Sequence, residues 1–167
     1  MLILPNNFSK RKDYIYMKTV FRPFRETDRQ DFFRMVKKFY APPATLHTPP
    51  DDVMLSCFDA SLETPELVKG IMFERNDMPV GYAIVSLKFE TEVGGFAAWI
   101  EELYVEELCR SEGIGRKFFE YLQNELKGKI RRIRLEVGED NIGAIKLYKN
   151  LGFEFLDYKQ MVIDRDF

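Results

Sequence analysis

The segment from Ile100 to Phe119 constrains this chain more than any other. Ile100 to Val105 reads as a strand, a short loop holds Gly113 and Gly115, and a helix follows at once. The first turn of an α-helix leaves its N–H groups without partners inside the helix. Glycine permits positive φ and lets another group approach the backbone closely. Together these make an anion cradle at the positive end of a helix. Arg110, Arg116 and Lys117 add charge suited to a phosphate. Two common phosphate motifs are excluded by single residues. A dinucleotide fingerprint needs a third glycine where Phe118 stands, and a P-loop needs Gly-Lys-Ser/Thr, which is absent. An ordinary strand-to-helix turn with glycines remains the alternative for the segment taken alone.

Composition narrows the chemistry. At 167 residues the size fits one domain. There is one histidine, His47, and there are two cysteines, Cys57 and Cys109. That is too few for a zinc site, a histidine cluster or a disulfide scaffold, so no metal is expected. Catalysis must run on carboxylates, hydroxyls, tyrosines and backbone groups. The net charge of −2 argues against a nucleic-acid partner. No apolar run approaches the ~18–20 residues of a membrane span. Met1 to Pro5 is too short for a signal-peptide core, and the basic cluster Lys10, Arg11 and Lys12 follows it, so a cytoplasmic protein is expected. Strand-like alternation begins after Met17. Residues 1–16 are therefore expected to form a loose arm, and residues 17–167 a single domain.

The remaining elements follow from period and punctuation. Thr19 to Arg25 alternates as a strand, and Thr27-Asp28-Arg29-Gln30 reads as a capping box opening a helix to about Tyr40. Pro42-Pro43 and Pro49-Pro50 break the chain, and Asp51 or Asp52 can cap a second helix. Val68–Arg75 and Val80–Phe89 flank Asn76-Asp77-Met78-Pro79 as an antiparallel hairpin. Phe96–Val105 is a third central strand. Ile114–Leu126 is helical, Ile130–Val137 is a strand, and Asn141 caps a helix that Gly152 ends. Phe153–Ile163 alternates and is expected to add one or two last strands. The order is β-α-α-β-β-β-α-β-α-β, a mixed α/β domain.

Two motifs carry a resemblance. Arg110-x-x-Gly113-x-Gly115 after Leu103-Tyr104-Val105 resembles the acetyl-CoA pyrophosphate loop of the GNAT acetyltransferase superfamily. Asn141-x-x-Ala144-x-x-x-Tyr148-x-x-x-Gly152-Phe153 resembles its second signature, in the right order with a strand between. The resemblance covers about residues 18–163. It implies a central, mostly antiparallel twisted sheet flanked by helices, with acetyl-CoA as co-substrate. It implies that Leu103, Tyr104 and Val105 pair with the pantetheine arm as a strand edge would. It also implies that Ser111, Glu112, Gly113, Ile114, Gly115 and Arg116 offer backbone N–H groups to the pyrophosphate. The family often has glycine at Ser111 and a basic or amide side chain at Glu112. An acid there should weaken CoA binding unless its side chain turns away. Cys109, at the loop's edge, reads as a small buried residue.

The same resemblance places Tyr148 near the CoA sulfur as proton donor, and Asn141 and Ala144 beside the pantetheine. The alternatives are a core tyrosine and a plain N-cap. Asn141 and Tyr148 are two helical turns apart and share a face. Some polyamine-type members carry Ile/Leu-Glu-Asp/Glu at the place of Ile100-Glu101-Glu102, where the first acid is a base. Glu101 is therefore the candidate base. Strand neighbours face opposite sides, which puts Glu102 on the other face. A pair of solvated acids is the competing reading. The acceptor region maps to about Tyr40–Leu62, with His47, Asp51 and Asp52, and Phe39, Tyr40 and Trp99 could line it.

The resulting expectation is an acetyl-CoA-dependent N-acetyltransferase acting by direct attack of a primary amine of a small molecule, whether polyamine-like, an amino acid or aminoglycoside-like. A peptide or protein acceptor, or a non-catalytic acyl-CoA sensor, are the rivals. A homodimer is left open. Residues 90–107 hold six acids and no Lys or Arg, whereas residues 110–134 hold eight basic residues against three acids. This suggests an acidic side for a cationic amine and a basic side for CoA phosphates.

Overall fold

A computed structural model describes residues 18–42 and 48–164. The expected arm at 1–16 and His47 lie outside the described residues. One mixed sheet of five strands organises the chain. Its strands are β1 (Val20–Pro23), β2 (Val68–Arg75), β3 (Met78–Glu90), β4 (Gly95–Val105) and β5 (Arg132–Leu135), adjacent in that order. The first four pair antiparallel, and β5 runs parallel to β4. The helices are α1 (Arg29–Phe39), α2 (Asp51–Glu63), α3 (Ile114–Glu125) and α4 (Ile142–Asn150).

Local chemistry sets most boundaries. Asn76 and Asp77 take φ of 48° and 62°, as a tight hairpin with primed turn geometry demands, and they join β2 to β3. The expected capping box at Thr27 does not form. Asp28 instead closes the turn before α1, accepting the Arg25 N–H at 2.7 Å and the Arg22 guanidinium at 2.7 Å. Both bonds favour the charged carboxylate over burial, so its pKa sits below the usual value.

The sheet separates two cores. On one face α1 and α2 cover Met72, Tyr82, Ile84 and Tyr104 with Phe32, Met54 and Phe58, joined by Phe24 from just after β1. On the other face α3 lays Ile114, Phe118, Phe119 and Leu122 over Ile71, Phe73, Val85, Ala98 and Ile100. Helix α4 joins this second core through Tyr148, whose ring meets Phe119 edge-on at 5.9 Å.

No strand follows α4 among the described residues, contrary to the alternation of Phe153–Ile163. A cavity of about 560 Å³ lies between this segment and β5, lined by Ile133, Leu135, Tyr148 and Phe155. β5 offers only four residues of edge. Without a ladder, Phe155, Tyr158, Met161, Val162 and Ile163 stay exposed.

Candidate active site

β4 and β5 share only four residues of register, Ala97–Ile100 with Arg132–Leu135. Beyond Ile100, β4 continues to Val105 while β5 has ended. The β4 edge at 101–105 therefore has no strand partner on that side among the described residues. Its last three residues, Leu103, Tyr104 and Val105, are those that the resemblance assigns to the pantetheine arm.

Glu101 sits at the point of parting, and it is a bulge. Val85 pairs with Ile100 and Ile84 with Glu102, so Glu101 is surplus to the ladder. A bulge breaks alternation and bends its strand. Before it, Ala98 and Ile100 join the α3 core; after it, Leu103 and Val105 do. Tyr104 lies in the α1/α2 core, and Glu102 reaches Tyr82 and Tyr40 of that same core. Glu101 accepts a hydrogen bond from Ser86, two residues along β3 from Ile84 and on the same face. Both carboxylates thus lie on the α1/α2 face. The expectation that Glu102 points to the opposite face is corrected, because alternation holds only in an unbulged strand.

The two acids differ in surroundings. Glu101 is exposed, whereas Glu102 is only 6% exposed. Tyr40 Oη donates to Glu102 at 2.8 Å and Tyr82 Oη at 2.7 Å. Burial pushes the Glu102 carboxyl above its ordinary range, the two hydroxyls oppose it, and Glu101 adds to the rise. Cys57 lies close by, its thiol pushed up to about 12 by burial and then by Glu102. The other acids of the 90–107 run are mostly neutralised. Arg132 pairs with Glu90 and Glu92, and Arg34 and Lys38 pair with Glu106. Neither Glu101 nor Glu102 forms an ion pair among the described residues. The acidic and basic runs therefore partly cancel across the sheet and do not form two whole sides.

The glycine loop has the form expected of a cradle. Ser111 (φ 62°) and Gly113 (φ 79°) both take left-handed backbone, with Gly113 as the N-cap of α3. The helix's first backbone bond runs from the Lys117 N–H to the Gly113 carbonyl. Among the described residues the N–H groups of Ser111, Gly113, Ile114, Gly115 and Arg116 meet no backbone carbonyl, while that of Glu112 closes the turn through Arg110 and Ser111. Ser111, Glu112 and Gly113 are exposed, and the space where a Gly113 side chain would stand is empty. Successive free amides in such a turn suit a pyrophosphate. Gly115 has a second use, since a Cβ there would lie 2.8 Å from Leu147 Cδ2, so glycine lets α4 approach α3. Arg110 Nε donates to the Val105 carbonyl at 3.0 Å, tying the loop to the end of β4.

Asn141 accepts the Ala144 N–H at 3.2 Å and caps α4. Tyr148 is half-buried between Phe119 and Phe153, and burial raises its pKa. Phe39 stacks edge-on with Tyr40, and half-buried Trp99 has Arg134 over its ring at 4.3 Å. Asp51 pairs with Lys37 at the surface, and Asp52 is exposed beside it. Cys109 is a free, half-buried thiol. Tyr82 and Ser86 were not visible as site residues in the sequence, since only strand register brings them here. The described residues hold no cluster able to bind a metal, and no helix among them is long and apolar enough to cross a membrane.

An amide-lined loop at a helix start, beside a sheet that parts between its fourth and fifth strands, frames a group-transfer site. The chain belongs to the acetyltransferase (GNAT) family, whose sequence model matches residues 28–153. It is 31% identical over 80 residues to the spermine/spermidine N(1)-acetyltransferase of Bacillus subtilis strain 168, covering 46% of this chain and 53% of that one. The chain thus spans about half the length of that curated relative. Its fold matches the aminoglycoside acetyltransferase AAC(6')-Iy, solved with a CoA-based bisubstrate analog, at a TM-score of 0.72 and 17% identity over 89% of this chain and 99% of that one. It also matches a ribosomal-protein-alanine N-acetyltransferase from Brucella melitensis biovar Abortus 2308, at a TM-score of 0.66 and 18% identity over 89% and 100% of the two chains.

Proposed function

We propose that this chain is an acetyl-CoA-dependent N-acetyltransferase whose acceptor is a primary amine on a small cationic molecule of the polyamine or aminoglycoside kind. One observation carries the choice of acceptor: Glu101 and Glu102 lie on one face, without ion pairs among the described residues, where β4 leaves β5. Two uncompensated carboxylates favour a cation. The similarity to the Bacillus spermine/spermidine enzyme points the same way.

The residues present fit acetyl-CoA. The amides between Ser111 and Arg116 that meet no carbonyl among the described residues suit the pyrophosphate, and the open β4 edge at Leu103–Val105 suits the pantetheine arm. Bound there, acetyl-CoA supplies an activated thioester open to direct attack by an amine. Glu102 holds the incoming ammonium by charge. Exposed Glu101 takes the proton that the ammonium must lose, directly or through water. Donors on the β4 edge are placed for the carbonyl oxygen that gains charge. Tyr148 stays protonated because burial raises its pKa, and it donates to the departing sulfur. With reference values of ~10 for a tyrosine and ~8.5 for a thiol, full transfer is uphill by about 2 kcal/mol. Tyr148 therefore works chiefly as a hydrogen-bond donor.

Free-thiol release measured across a panel of amines tests the reading. Spermidine or an aminoglycoside should outpace a peptide N-terminus. Preference for the peptide would move the acceptor class, and CoA binding with no thiol release on any amine would leave a sensor. In Glu101→Gln the acidic limb of the pH–rate profile should vanish with the rate; an unchanged profile removes Glu101 as base.

A further inference from the structure

The loop acid Glu112 has a partner far away in sequence. Its carboxylate is ion-paired with Arg75, the last residue of β2. The hairpin turn at Asn76–Asp77 brings Arg75 to this end of the sheet, and the Glu106 N–H bond to the Val80 carbonyl (2.9 Å) ties the hairpin to the loop. Arg75 is fixed from two sides. Its Nε donates to Thr19 Oγ1 at 3.0 Å, and its Nη1 donates to Glu112. The Arg75 side chain is 9% exposed, whereas that of Glu112 is 48% exposed. The rigid member of the pair is the arginine, and the acid is the one that is held.

We infer that Arg75 is a positioning residue for the phosphate cradle, which it serves by drawing the Glu112 carboxylate away from the amides of residues 111–116. This rests on the acetyl-CoA reading above. An acid inside a loop of free amides competes for them and repels a pyrophosphate. Turned onto Arg75, it does neither, and it also tethers the loop between its two left-handed residues, Ser111 and Gly113. The arginine acts through Glu112 and need not touch the ligand.

The test is a double-mutant cycle read by calorimetry with acetyl-CoA. Arg75→Met should weaken binding about tenfold, a cost of about 1.4 kcal/mol. Glu112→Gln should bind at least as well as wild type. Arg75→Met with Glu112→Gln should return to within about threefold of wild type, because the repelling charge is gone. The Arg75→Met defect should shrink in high salt. It should be absent when KM is measured for acetylpantetheine, which lacks the pyrophosphate. A merely structural Arg75 would give a double variant as weak as the single one and an equal defect with acetylpantetheine, and either result overturns the inference. Unchanged binding by Arg75→Met overturns it too. Glu112→Gln leaves Arg75 in place, so tighter or equal binding by that variant tests the repulsion even if Arg75→Met folds poorly. Wild-type protein that fails to bind acetyl-CoA would instead refute the acetyl-CoA reading.

Discussion

Replacing Glu102 with glutamine should stabilise the protein above neutral pH while weakening its hold on a cationic amine. Glu102 is 6% exposed and accepts hydrogen bonds from Tyr40 and Tyr82. Burial outweighs those bonds, so its pKa in the folded chain lies above the ordinary value of 4.5. The folded protein therefore keeps a proton that the unfolded chain has released. Stability falls as pH rises from the unfolded value through the raised folded one, and the loss is complete above both. Glutamine keeps the shape, accepts one tyrosine hydroxyl and donates its amide to the other oxygen. Exchanging two charge-assisted bonds for neutral ones costs about 1 kcal/mol apiece. Removing an ionised carboxylate from a dry site returns several kcal/mol. A net gain of about 1–2 kcal/mol is expected at pH 8, or about 2–4 °C in Tm for each kcal/mol. Urea titrations at pH 5 and pH 8 check this, since the advantage should shrink at pH 5. The amine KM should rise at least about tenfold. A variant less stable than wild type at pH 8, by more than at pH 5, would refute the reasoning. The tyrosines would then hold the charge more strongly than burial opposes it.

Two further substitutions probe the loop and the proton donor. Tyr148→Phe should lower kcat about 10²-fold with acetyl-CoA affinity held within about twofold, because only the hydroxyl is lost and the contacts with Phe119 and Phe153 remain; an unchanged kcat would remove Tyr148 from the chemistry. Ser111→Gly should raise stability by about 0.5 kcal/mol in urea, as left-handed backbone costs about 1 kcal/mol for a serine and the looser unfolded chain offsets part of the gain. A loss of 1 kcal/mol or more would mean that the serine side chain holds the loop.

Much of this was legible because it is local. The β2–β3 hairpin, the start of α3 and the Asn141 cap rest on residues within a few positions of one another, and their chemistry is visible in the letters. What was hidden depends on register. No residue near Glu101 announces a bulge; the slip exists only against Ile84 and Val85. The tyrosines over Glu102 come from a neighbouring strand and from the residue just past the end of α1. The direction of Glu112 is set by Arg75, 37 positions earlier. The alternation of Phe153–Ile163 misled for the same reason, since period shows what a strand could be and a free edge decides whether it forms.

The bulge at Glu101 has a wider consequence. Without that residue, Ile100 and Glu102 would follow one another opposite Val85 and Ile84, and β4 would be an unbroken strand with every other side chain on its present face. The fold is thus complete in ten of the strand's eleven residues. The extra one bends β4 beside the end of β5, and it is itself an acid. That one residue thus both bends the strand beside the end of β5 and sets two consecutive carboxylates on one face of the sheet.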